Sequence, residues 1–280
     1  MIHALILLGS LGLALLGRWL GWLGYGRQQG WEYRWRWALL SFALPPLLLL
    51  SSALAVVMMG VGGMMASGIW GSGSYVLAVG IILGAGVLLA VLALQGLVCE
   101  REARRFPCHT LGEQTVRIAP DERLWAAQVG WWDPCLVISQ GVVARLTPGH
   151  VRAVLLHEQA HRLFRDPVTF LVLGWLQRLT GFLPKTAELW QGLLLLREVR
   201  ADRWTITQTD ALDLAEALWL FAAEGHPELD RQWAIGMGGE AWQERLEAIL
   251  SPECAEIQPG IPMLWWLVAL LPLLAVPLHH

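Results

Sequence analysis

Apolar residues form long, almost unbroken runs in the first third of the chain and shorter, interrupted runs after it. Ile2 to about Leu23 is apolar apart from Arg18. Ala38 to about Ala66 is a second run, carrying Pro45-Pro46, and Tyr75 to Val98 is a third. Each is long enough for the roughly 20 residues a helix needs to cross a bilayer. Three membrane spans are expected. Arg18 should reach out to the interface, and the proline pair should kink the second span. Gly24–Trp37 reads as a loop in which Arg27, Arg34 and Arg36 alternate with aromatics. Beside a membrane helix such a mixture is an interfacial anchor. A last apolar run, Ile261 to Leu278, is expected to be a fourth span.

After Val98 the pattern changes. Gln114–Ala119 alternates like a short strand, and Pro134–Ile138 reads as a second strand, followed either by a turn or by a short helix through Arg145. By position alone, this second strand is a candidate sheet edge for pairing with an extended peptide. Thr147-Pro148 has the form of a helix N-cap and first helical position, and Asp166-Pro167 should close that helix. Val168–Leu183 is apolar but short for a span and is broken by Gln177-Arg178. It is expected to line the membrane. A long helix from Pro184 to about Thr207, an amphipathic one over Asp210–Ala223, a loop, and a short helix over Glu240–Leu250 follow. Residues 1–99 thus form a three-helix membrane region, 100–260 a polar domain and 261–280 a terminal span. The fold class is a mainly α membrane protein with about four transmembrane helices and an α+β domain.

Composition sharpens this picture. The chain is 55% hydrophobic and 15% charged, against about 25% charged in soluble domains. Arginines follow the first and third spans and none follows the second. That asymmetry puts the N-terminus outside and the domain from Glu100 onward in the cytoplasm of a multi-pass cell-membrane protein. A net charge of −3 gives no reason to expect a nucleic-acid partner. The four cysteines show no CxxC spacing and read as free thiols.

The chemistry lies in His157-Glu158-Gln159-Ala160-His161. Residues four apart share one helix face, so both imidazoles can reach a single zinc ion. Glu158 points about 100° away from His157, badly placed as a ligand and well placed to take a proton from a water on the metal. Could this helix lie in the bilayer? Arg152, Glu158, Arg162, Arg165 and Asp166 argue against it, since central Asp, Lys or Arg residues cost about 2.5–3.5 kcal/mol each. The third ligand expected is Glu198. Asp202 lies four residues further on the same face and is expected to accept the free ring N–H of a ligating histidine. The alternative is a solvated face on which Glu198 and Asp202 pair with Arg197, Arg200 and Arg203. His226 is either an oxyanion donor or a loop histidine before Pro227. Arg245 either clamps a carboxylate near the site or makes surface i,i+4 pairs.

Taken together, His157–His161, Asp166-Pro167, Phe182-Leu183-Pro184 and Glu198-Val199-Arg200-Ala201-Asp202 resemble the β-lactam-sensor-type membrane metallopeptidases. These are relatives of the prenyl-protein and heat-shock-linked membrane zinc proteases. The resemblance implies a gluzincin fold, one zinc on His157, His161 and Glu198, Glu158 as catalyst, and Asp202 behind a ligand. It also implies cleavage of a regulatory protein or of the protease itself. Sensor members carry an extracellular ligand-binding domain after the last span, which this sequence lacks. A separate sensor partner or constitutive action is expected instead. The rival readings are a quality-control or CAAX-type membrane protease and, from another class, a catalytically silent zinc-binding receptor or scaffold.

Overall fold

The computed structural model describes residues 2–24, 30–60, 69–224, 239–250 and 267–277. The chain divides into two compact units. The first comprises Met1–Val91, Leu173–Leu193 and Gln258–His280; the second comprises Leu92–Val172 and Leu194–Ile257.

The first unit contains helices and turns but no strand among its described residues. Helix α1 spans Ile2–Leu23 and α2 spans Trp31–Met59. Helix α3, Ile69–Ala103, begins in this unit. All three are long and apolar enough to cross a membrane. Ala53, Val56 and Ala78 form a buried cluster, with Ile6, Leu7 and Ile82 packed against it. Outward-facing apolar residues such as Val76 and Leu83 remain 69% and 64% exposed, as suits a lipid-facing surface. Two expectations are corrected here. The basic-aromatic stretch is not all loop, because α2 starts at Trp31 and carries Arg34 buried within it. Nor does Arg18 reach the interface: it is fully buried and donates from Nη2 to the Phe42 carbonyl oxygen at 3.0 Å. The reason is Pro46. Lacking an N–H, it leaves the carbonyl four residues back without its helical partner, and Arg18 supplies the donor. Its guanidinium also lies 5.0 Å from the centroid of the Phe42 ring.

Only residues 267–277 of the expected fourth span are described. They contain one 3₁₀ helix, Val268–Ala275, of eight residues.

The second unit holds a four-stranded sheet of β1 (Cys108–Leu111), β2 (Gln114–Ala119), β3 (Ala126–Val129) and β4 (Cys135–Ser139), in the order β1-β2-β4-β3. β2 and β4 are parallel; the other two pairings are antiparallel. This overturns the expectation of an edge at 134–138. β4 is flanked on both sides and almost wholly buried, because its Leu136, Val137 and Ile138 serve both faces of the sheet. The edges are β1 and β3. After β4, Ser139 accepts from the Val142 backbone N–H and caps α4 (Gln140–Arg145). Gly141 is required in that turn, since a Cβ there would lie 2.1 Å from the Glu122 carbonyl oxygen.

Thr147 caps α5 (Pro148–Leu163) by accepting from the His150 backbone N–H, with Pro148 at the first helical position. Val154 and Leu155 of α5 join Val116, Leu136, Ile138 and Ala217 in one core, which seats α5 against the sheet. Helix α6, Asp166–Leu179, is opened rather than preceded by Asp166. At about 1.5 Å per residue its 14 residues fall short of a bilayer. Helices α7 (Thr186–Thr205), α8 (Ala211–Glu224) and α9 (Gly239–Leu250) follow. Within the second unit, Leu214 of α8 and Ile249 of α9 pack on Ala153 of α5.

Candidate metal centre

Three side chains converge in the second unit. His157 Nε2 lies 3.1 Å from His161 Nε2 and 3.3 Å from Glu198 Oε2, and His161 Nε2 lies 3.6 Å from Glu198 Oε1. The two histidines come from successive turns of α5 and the glutamate from α7. The group is suited to hold a metal ion. Two nitrogens held 2.0–2.1 Å from zinc and subtending a tetrahedral angle are about 3.4 Å apart. The observed separations bracket that value.

The far sides of the rings explain why. His161 Nδ1 donates to Asp166 Oδ2 at 2.8 Å. That bond fixes the ring proton on Nδ1 and leaves a bare lone pair on Nε2. Asp202 Oδ1 lies 2.9 Å from His157 Nδ1, off the axis of a straight hydrogen bond but close enough to favour the same tautomer. Two imidazole lone pairs and a carboxylate oxygen are then aimed at one point. Only a proton or a cation between them makes that arrangement favourable. The donor set therefore fits a divalent metal, on the chemistry of its atoms as well as on their spacing.

Charge around the cluster is closely matched. Asp166 pairs with Arg200. Glu198 Oε1 accepts from Arg197 Nε at 2.9 Å. Asp202 accepts two bonds from Arg245, at 2.8 and 2.9 Å, while Arg245 Nη1 lies 3.5 Å from Glu198 Oε2. Burial alone would push the His157 imidazole down, but Asp202 and Glu198 outweigh it and hold its pKa up at about 10. His161 is likewise raised, with burial opposed by the charge of Glu198 and the bond to Asp166. Burial would raise Glu198, yet the charges of His161 and Arg197 hold it well below the usual carboxylate range. Asp202 is held low against burial by Arg245 and His157. In the metal-free protein, a proton on His157 thus stands where the donor atoms would grip a cation.

The residues singled out by sequence fall as follows. His157, His161 and Glu198 form the cluster, and Asp202 stands behind His157. Glu158 is buried on α5, and its carbonyl oxygen accepts from Gln128 Nε2 of β3 at 2.9 Å. Arg245 is nearly buried and clamps Asp202; its alternative reading as a surface helix pair fails. His226 lies outside the described residues. Asp166, expected to close α5, instead holds His161. Its five-residue distance from His161 was the available signal. Arg197 and Arg200, which the alternative places on a solvated face, neutralise Glu198 and Asp166 of the cluster.

The chain matches no protein-family model, no curated protein and no solved structure.

Proposed function

We propose that the chain is a membrane-embedded zinc metalloendopeptidase that cuts a regulatory protein, or itself, at the cytoplasmic face. The observation that carries this reading is the convergence of His157 Nε2, His161 Nε2 and the Glu198 carboxylate, with a carboxylate behind each imidazole. Among the described residues the cluster has three metal-ligating side chains. Structural zinc sites close with four protein ligands, whereas catalytic ones keep a position open. That difference favours the enzyme over the silent receptor or scaffold. The three apolar helices support a membrane location, and the arginines after α3 support a cytoplasmic domain. The run from Ile261 to Leu278 fits a fourth span by length and composition.

His157, His161 and Glu198 would hold the zinc. When bound, that ion supplies a Lewis acid that polarises a carbonyl and acidifies a water. Asp166 and Asp202 keep both imidazoles in the ligating tautomer. Glu158 takes the proton of the attacking water and returns it to the leaving amine. The open edge of β3, joined through Gln128 to the backbone of Glu158, offers main-chain groups to an extended substrate. Arg245 holds Asp202 in place.

The test pairs zinc stoichiometry with cleavage of casein, or self-cleavage, in detergent. The native chain should hold one zinc and cut. Glu158→Gln should keep the zinc and lose about 10²–10⁴ in rate, the usual worth of a general base. Normal cleavage by a zinc-replete Glu158→Gln chain sinks the mechanism. A native chain that holds zinc and cuts nothing favours the scaffold.

A further inference from the structure

The turn between β3 and β4, residues 130–134, is tied to the end of α3. Gly130 has a φ of +105°, and a Cβ there would meet Glu100 Oε2 at 2.9 Å. Trp131 packs against Gly96, whose added Cβ would sit 3.0 Å from the indole nitrogen. Arg104 bonds Glu100 and also donates to the Asp133 carbonyl oxygen at 3.2 Å. From the other side, Arg162 at the end of α5 pairs with Asp133 at 3.1 Å. The tip therefore has a fixed height along α3.

That height is informative. The run Glu100-Arg101-Glu102 is where the apolar surface of α3 ends. Gly96 lies one turn, about 6 Å, to the apolar side of Glu100. On this stretch of α3, Leu94 and Val98 are 60% and 51% exposed. The next residue of the tip, Trp132, is 79% exposed. An indole presented at the boundary between an apolar helix surface and its first charges matches the amphipathic interface of a bilayer. Arg101 and Arg105, at the charged end of the same apolar run, are exposed and have the sign that anionic headgroups attract.

We propose that the 130–134 tip is an interfacial anchor, with Trp132 seated among lipid headgroups, and that the site consequently acts on polypeptides held in the same bilayer. This rests on the peptidase reading. Gln128, which bonds the backbone of Glu158, precedes Trp132 by four residues, a reach of at most about 14 Å. A substrate strand laid along β3 is therefore cut within about four residues of where it leaves the lipid, at about 3.3 Å per residue. Distance from the membrane, more than side-chain identity, selects the bond.

Two measurements test this on the full chain in phosphatidylcholine vesicles. First, a fluorophore is attached through Trp132→Cys, with the native cysteines replaced by serine and with Glu158→Gln to silence cleavage. Headgroup-proximal spin-labelled lipid should quench it and aqueous iodide should not. The reverse pattern overturns the anchor, whatever the enzyme does. Second, an unstructured casein segment is offered free and tethered to a single-span peptide through spacers of increasing length. The tethered form should be cut faster, and the cut should stay at a constant distance from the tether. Trp132→Glu should slow the tethered substrate about tenfold relative to the free one, because a charge replaces the interfacial indole. An unchanged ratio, or a cut that follows the sequence as the spacer grows, overturns the substrate assignment while leaving the peptidase reading intact. If the native chain cuts neither form although the fluorophore sits in lipid, the peptidase reading fails and takes the substrate assignment with it.

Discussion

Arg18 is buried and Arg245 nearly so, and the two are held in different ways. Among the described residues, Arg18, in the first unit, has no carboxylate partner. Its partners are a backbone carbonyl freed by a proline and the face of a phenylalanine. Arg245, in the second, makes two bonds to Asp202 and lies close to Glu198. One repairs a local defect in a helix. The other belongs to a group of three carboxylates and three arginines surrounding two imidazoles. Removing a member of such a group leaves a buried charge without its counterpart, whereas removing Arg18 leaves only a carbonyl. The contrast separates a charge held by packing from charges held by one another, and it can be tested by breaking each in turn.

The largest effect is expected from Arg245→Met. Truncating one partner of a buried, hydrogen-bonded pair costs about 3–5 kcal/mol. The loss should appear as a markedly lower thermal midpoint in detergent. Adding Asp202→Asn should recover part of it, because the orphaned charge is then gone. Zinc affinity should not recover with it, because the group behind His157 has been altered. A double variant as unstable as the single one would show that Arg245 acts by packing alone.

Next comes Asp166→Asn. The partner of a ligating histidine commonly contributes 10–100-fold to metal affinity. A competition titration against a chelator should find a loss of that order, with the fold retained. Asp166 is also the clearest case of what the sequence could not reveal. The i,i+4 spacing of His157 with His161, and of Glu198 with Asp202, is arithmetic on a helix and needs no tertiary knowledge. Asp166 lies beyond the end of α5, and its approach to His161 depends on Arg165 turning the chain at a φ of +54°. Arg245 comes from α9, through packing of Ile249 against Ala153 and Leu214. β1 and β3 have four residues each and no clean alternation, so pairing alone defines them. β4 differs: its apolar run marks a strand, but not which neighbours bury it. Arg18 was misplaced because its partner is a missing hydrogen bond 24 residues away. Local periodicity was legible; whatever depends on two distant elements meeting was not.

A smaller effect concerns protons. In the metal-free protein the His157 pKa is held up at about 10, against burial, by Asp202 and Glu198. His157 is therefore protonated at neutral pH and must lose that proton for metal to bind. Affinity should rise as pH rises toward 10 and fall in acid, by about tenfold per pH unit for each proton released. Calorimetry in two buffers of different ionisation enthalpy measures the count directly. Zinc uptake without proton release at pH 7 would mean that the ring is already neutral there, and the balance of carboxylates and arginines drawn above would be wrong.

The smallest effect belongs to Arg18. A hydrogen bond from a charged donor contributes about 1.5–3 kcal/mol, but removing Arg18 also removes the cost of burying a guanidinium. Arg18→Met should therefore shift the midpoint only slightly. The sharper test couples it to Pro46→Ala. Alanine supplies the missing N–H, so Phe42 regains its helical partner and Arg18 becomes redundant. The effect of Arg18→Met should then change between the two backgrounds by about 0.5–3 kcal/mol, the usual range for groups that share a partner. Additive effects would mean that Arg18 does not serve the proline-freed carbonyl. Its burial would then rest on the contact with the Phe42 ring, and the Phe42 side chain would become the residue whose removal exposes the cost of a charge inside the first unit.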